Sequence, residues 1–182
     1  DYRYLSVYFT ESFTWNKYTD MAIAKASRML YFIRRNFEQV TREIQESLYI
    51  LQVRCVLDYA CVVWDPYQDY LMKNVEKLQN EAARFLLINY SPYASVSQMK
   101  ATLGWDLVCV RRQKLRLKLL HQIYYSNTGI NHHSYLVQPP YTSTRCDNSK
   151  TISTFKCRSN TFFHSFVSKT IREWNSLSDD LV

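Results

Sequence analysis

Through most of the first 126 positions the apolar residues recur at steps of three and four, the spacing of one helical face, so the chain is predicted to be mainly α. Between Tyr18 and Phe37 that face is Ile23, Ala26, Leu30, Ile33 and Phe37, and the helix closes on Arg34-Arg35, cations suited to the negative end of its dipole. A second helix is predicted from Thr41, an N-cap candidate with Glu43 in the first turn. It carries Ile44, Leu48, Leu51, Cys55, Tyr59 and Val62 along one side until Pro66 stops it. A third, from about Tyr70 to Ile88, turns Leu71, Val75, Leu78, Ala82 and Phe85 inward. A short fourth, Ser95 to Leu103, carries Val96, Met99 and Leu103 and ends at Gly104, which suits a C-cap. A fifth covers about Asp106 to Ser126.

Two stretches break this pattern. Tyr4 to Phe9 alternates Leu5/Val7/Phe9 with Tyr4/Ser6/Tyr8, as a strand does, and no adjacent segment offers a partner; its open backbone groups should therefore join a sheet preceding Asp1 or a distant strand near the C-terminus. Beyond Thr128, Gly129, Pro139-Pro140 and clustered Ser, Thr and Asn predict loop with one or two short strands, near Tyr135–Val137 and Ile152–Lys156. Helical spacing then returns from Phe162 to Leu177 through Phe162, Phe166, Thr170 and Trp174. The expected organisation is a strand in residues 1–13, a helical bundle in 14–127, and a connecting loop, short strands and a terminal helix in 128–182.

Charge sharpens the picture in the fifth helix. Residues 1–104 carry 12 basic against 11 acidic side chains, whereas residues 105–182 carry 11 against 5, so nearly all of the net +7 lies in the second part. Such a half favours a polyanionic partner. At about 100° per residue, Arg111, Lys114 and Lys118 fall in one stripe, Leu115, Leu119, Leu120, Ile123 and Tyr124 cover the opposite side, and Arg112 and Arg116 flank the apolar surface. A phosphate-binding face and a merely solvated one are both compatible with that stripe.

Other chemistry is sparse. Cys55, Cys61, Cys109, Cys146 and Cys157 are odd in number and form no CxxC pair, which argues against a disulfide framework and for a reducing, intracellular setting, nucleus or cytoplasm. His121, His132, His133 and His164 do not combine with them in a zinc spacing. No apolar run reaches the ~20 residues of a membrane span, so no membrane partner is expected.

Several phrases together resemble the C-terminal part of reverse transcriptases of non-LTR (LINE-type) retrotransposons. They include Tyr4-Leu5-Ser6-Val7, Thr14-Trp15-Asn16-Lys17, Lys25-Ala26-Ser27-Arg28, Ile33-Arg34-Arg35-Asn36, Leu57-Asp58-Tyr59-Ala60, Val63-Trp64-Asp65-Pro66, Ala82-Ala83-Arg84-Phe85, Leu103-Gly104-Trp105, Val110-Arg111-Arg112 and Ile171-Arg172-Glu173-Trp174-Asn175-Ser176-Leu177. The resemblance implies that the opening strand is the end of the palm and that the helices form the thumb and the connecting segment beyond it. It also implies that the partners are an RNA template and DNA primer, held through their phosphates, with the palm of the same polyprotein alongside. That agrees with the basic stripe read from the residues, and the candidate phosphate ligands are Arg111, Arg112, Lys114, Arg116, Lys118, Arg34 and Arg35. This chain departs from the family where glycine is usual, at Ser6 and Tyr31, and where proline is usual, at Cys55 and Ser178, which suggests a decayed copy.

RNA-directed DNA polymerisation needs paired carboxylates around two metal ions, so Mg is implied for the full-length enzyme and no cofactor for this piece. The aspartate pair that follows an aromatic residue in the family is not present: Tyr67-Gln68-Asp69-Tyr70 lacks the second aspartate, and Ser178-Asp179-Asp180 has no preceding strand. The first reads as a helix start and the second as a solvated end. Asp58 and Asp65 lie among apolar residues, where a carboxylate needs a partner; a structural ion pair or cap is favoured over catalysis, with Arg54 available to Asp58. Trp15, Trp64, Trp105 and Trp174 could stack on bases, but core packing fits their apolar neighbours better. The expected function is template–primer backbone binding without polymerase activity, against the alternative of a helical structural or interaction module with no retained nucleic-acid function. A piece severed from its palm should expose apolar surface around Leu5, Val7 and Phe9; a self-sufficient module should cover it.

Overall fold

The computed structural model describes residues 2–126, 128–132, 136–141 and 148–181. The protein is mainly α, with a single two-stranded antiparallel sheet near the N-terminus among the described residues. The chain divides into two compact units, Asp1–Arg112 and Gln113–Val182.

The opening segment is a hairpin rather than one strand. β1 (Tyr2–Tyr4) pairs with β2 (Val7–Phe9) in the register Tyr2↔Phe9, Arg3↔Tyr8, Tyr4↔Val7. Leu5 and Ser6 make the two-residue turn, with φ of 44° and 67°. Positive φ at both central positions is the type I′ arrangement, normally supplied by Asn-Gly or Gly-Gly, and that is why a Leu-Ser pair gave no turn signal. Ser6 sits where glycine would be unstrained. Val7 is buried, Phe9 packs edge-on against Trp15 and Phe13, and Leu5 is 69% exposed.

The first unit is built around α1 (Asn16–Asn36) and α5 (Asp69–Leu86), joined in the core by the segment between them. Ala26, Leu30 and Ile33 of α1 meet Val75, Leu78, Ala82, Phe85 and Leu86 of α5, as the periodicity predicts. The expected second helix is broken into α2 (Arg42–Leu48), a π-helical turn (Tyr49–Arg54), α3 (Cys55–Asp58) and α4 (Cys61–Trp64), with Ala60 at φ 49° between the last two. Its buried line is Gln45, Tyr49, Val53 and Leu57, not Ile44, Leu51, Cys55 and Tyr59, which are exposed. Repeated four-residue steps drift around an α-helix of 3.6 residues per turn, and the wider π turn cancels that drift, keeping all four on one side.

Cys55 stands at the exit of this turn with φ −61°. Its N–H points to the Val53 carbonyl two residues back, and its thiol donates to Leu51 O at 2.8 Å. A proline there loses no i−4 hydrogen bond and finds its preferred φ. Cys55→Pro is therefore expected to cost about 1 kcal/mol, mostly from the preceding helical residue, rather than the ~3 kcal/mol of an interior helical proline, as read from urea unfolding.

α6 (Val96–Thr102) is capped by Ser95 Oγ, which accepts from Gln98 N at 3.4 Å. It closes in a Schellman motif: Gly104 adopts φ 65° and donates to Ala101 O at 3.0 Å, and Trp105 N donates to Lys100 O at 2.8 Å. α7 (Val108–Tyr124) starts in the first unit and ends in the second.

In the second unit Leu120 of α7 packs with Ile152 and with Ile171 and Trp174 of α9 (Phe166–Asn175), which follows the short α8 (Asn160–Phe163). The terminal helix is thus split at Ser165, and Phe162 is 42% exposed rather than on the buried face. The strand expected at Ile152–Lys156 does not form. Tyr135 lies outside the described residues; Val137 accepts one backbone bond from Ser153 N at 2.8 Å, and Asn175 takes the place of a strand partner for Ile152, donating to its carbonyl at 2.7 Å and accepting from its N–H at 3.0 Å. Asn148 in turn donates to Trp174 O at 3.0 Å. No helix is long and apolar enough to cross a membrane among the described residues.

Candidate nucleic-acid interface

The entry into α7 is clamped from several sides. Trp105 stacks on Tyr49 at 4.5 Å between centroids and donates its indole N–H to Glu46 Oε1 at 2.9 Å. Glu76 of α5 accepts from Val108 N at 2.8 Å, capping α7, and from Lys100 Nζ at 2.6 Å. Gln79, fully buried, donates to Asp106 O at 2.8 Å. Burial raises the Tyr49 hydroxyl well above the ordinary tyrosine pKa, a shift that the nearby Arg111 charge only partly opposes.

So held, the first turn of α7 sends two arginines into the first unit. Arg111 grips Asp58 with Nε 3.0 Å from Oδ2 and Nη2 3.0 Å from Oδ1, and its Nη1 donates to Gln79 Oε1 at 2.7 Å; Arg54 Nε also reaches Asp58, at 3.4 Å. Arg112 donates to Asp65 Oδ1 and to the Leu57 carbonyl, both at 3.1 Å, while its guanidinium lies 4.0 Å from the centre of the Trp64 ring. In the second unit Arg116 makes a two-point pair with Glu173, Nη2 to Oε1 at 2.6 Å and Nε to Oε2 at 3.2 Å. All three arginines are buried.

The stripe expected on α7 is corrected accordingly. Arg111, Arg112 and Arg116 neutralise carboxylates inside the protein, and Lys114 and Lys118 are the residues of that group that stay on the exposed face. On α7 arginine and lysine sort by chemistry: a planar guanidinium matches a carboxylate at two points and is weakly hydrated, whereas the more strongly hydrated ammoniums of Lys114 and Lys118 keep to the exposed face. The signal was legible in Asp58 and Asp65, acids among apolar residues that each required a cation; the i+4 partner Arg54 is present, but the stronger bonds come from 53 and 47 positions away.

Arg34 and Arg35 close α1, Arg35 exposed and Arg34 half-buried. Trp64 and Trp174 are core residues, and Trp15 and Trp105 are half-buried, so packing accounts for all four. Asp69 opens α5, and Asp179 accepts from Ser149 N at 2.6 Å at the start of a 3-10 turn (Asp179–Leu181). The Ser149 bond holds the Asp179 carboxyl below its usual range. No group of three or more potential metal ligands converges among the described residues. His133 and Cys146 lie outside them.

No family model, no curated protein and no solved structure matches the chain.

Proposed function

We propose that the protein is a thumb-like, nucleic-acid-binding part of the reverse transcriptase of a LINE-type retrotransposon, touching RNA template and DNA primer through phosphates and not polymerising alone. The observation that carries this reading is the exposed pair Lys114 and Lys118, one turn apart on α7 in the basic half of the chain. The hairpin supports it. A two-stranded sheet is marginal alone, and Tyr2 (66%), Tyr4 (57%) and Phe13 (54%) are exposed around an apolar cleft of about 550 Å³ on it, a surface suited to the palm of the same polyprotein. Any Mg would belong to that palm.

Binding to a primer–template duplex should weaken linearly in log K against log salt. Changing Lys114 and Lys118 together to Gln is expected to lower the slope by about 2, one unit for each phosphate no longer neutralised. An Arg111→Gln change should instead alter stability. Absence of salt-dependent binding, or an unchanged slope in the lysine variant, would retire the reading in favour of a helical structural module. That second reading is favoured by the burial of Arg111, Arg112 and Arg116 and by the chain's own cover over Val7.

A further inference from the structure

One exposed cluster on the first unit has a composition that phosphate binding alone does not require. At the end of α1 the Arg34 guanidinium lies 5.6 Å from the centre of the Tyr31 ring, 5.8 Å from Phe85 and 5.7 Å from Tyr90, and donates to the Tyr90 hydroxyl at 3.4 Å. Only Phe85 belongs to the core; Tyr31 and Tyr90 are 54% and 55% exposed. Both rings flank the guanidinium and keep about half of their surface open to a ligand.

The position of Tyr90 is built by the backbone. α5 ends with Ile88 at φ 48°, a left-handed conformation that a β-branched residue resists, closed by Asn89 N to Arg84 O at 3.0 Å and Ile88 N to Phe85 O at 3.1 Å. Arg84 then donates to Ser91 O at 2.9 Å, and Ser91 N to Asn89 Oδ1 at 3.2 Å, so the segment carrying Tyr90 is tied back to its helix. The result is a fixed platform beside a cleft of about 230 Å³ lined by Arg34, Gln45, Phe85, Ile88 and Tyr90, with Glu38 its one acidic wall. Exposed Arg28 and Arg35 share the Tyr31 side of α1, where Tyr31 lines a second cleft with Lys77, Asp20 and Glu81.

We propose that Tyr31, Arg34 and Tyr90 form a stacking platform for unpaired bases of single-stranded nucleic acid, with Arg28 and Arg35 following the phosphates. Aromatic and guanidinium faces interleaved with cations are what such a strand requires: every base offers a π-face, and the backbone between bases is anionic. The inference rests on the nucleic-acid reading for the class of polymer, but uses rings which that reading does not.

The test titrates the 182-residue chain at low salt with a fluorescent thymidine 12-mer and with an abasic 12-mer of the same length. The thymidine strand is expected to bind about a hundredfold tighter. Tyr31→Ala with Tyr90→Ala should erase that preference, at roughly tenfold for each ring, while leaving abasic binding unchanged. Tyr31→Phe with Tyr90→Phe, which keeps the rings and drops the hydroxyls, should retain it. Equal affinity for the two strands, or a preference that survives both alanines, overturns the platform and leaves the backbone reading standing. No binding to either strand overturns the platform, and the duplex titration then decides the backbone reading.

Discussion

An Asp65→Ala variant is expected to lose about 3–5 kcal/mol of folding stability, a large part of what holds a domain of this size. The Asp65 carboxylate faces Arg112, whose side chain is 3% exposed, while the acid's is 9% exposed. Removing the acid leaves a guanidinium that is sealed against Trp64 and the Leu57 carbonyl with no counter-charge, and a buried cation without a partner costs far more than the intact pair contributes. Arg112 already has one nitrogen, Nε, buried without a hydrogen-bond partner, so little slack remains. The companion variant Asp65→Leu with Arg112→Met should recover most of the loss, because an apolar pair of similar volume needs no desolvation. Urea unfolding followed by Trp fluorescence measures both. A loss under about 1 kcal/mol in the alanine variant would mean that the pair behaves like a solvated surface bridge.

Glu76→Ala is the second large effect, expected to cost about 3 kcal/mol. One carboxylate performs two tasks there, holding the Lys100 ammonium, whose side chain is 7% exposed, and closing the N-terminus of α7 through Val108 N. The Glu76 side chain is itself 21% exposed, so water relieves part of the loss, and the figure sits at the lower end of the range for a broken buried pair. Glu76→Gln separates the tasks: the amide oxygen can still cap α7, but no negative charge remains for Lys100. Its loss should fall between wild type and alanine, and equal losses for the two substitutions would show that the charge, not the cap, dominates.

Both effects arise in the part of the molecule that sequence reading served unevenly. The faces of α1 and α5 and the C-cap of α6 were legible because they depend on neighbours within one or two turns: Ala26, Leu30 and Ile33 pack as spaced, and Gly104 adopts the left-handed φ. The hairpin was not, since Leu5-Ser6 carries none of the residues that make a type I′ turn inexpensive. The break in the second helix was not either, since the π turn at Tyr49–Arg54 is chosen by where Tyr49 and Val53 must point.

The candidate interface divides along the same line. Composition and periodicity alone set the mainly helical class, the concentration of positive charge after residue 104, and the need of Asp58 and Asp65 for cations, because these follow from residue types and short-range geometry. Which cations answer that need was decided by the fold. Arg111, Arg112 and Arg116 belong to the same basic run as Lys114 and Lys118, and only the approach of Asp58, Asp65 and Glu173 from distant positions turns the arginines inward while the lysines stay on the exposed face. The Tyr31–Arg34–Tyr90 platform was equally hidden, because the left-handed turn at Ile88 brings together rings that stand 59 positions apart in the chain.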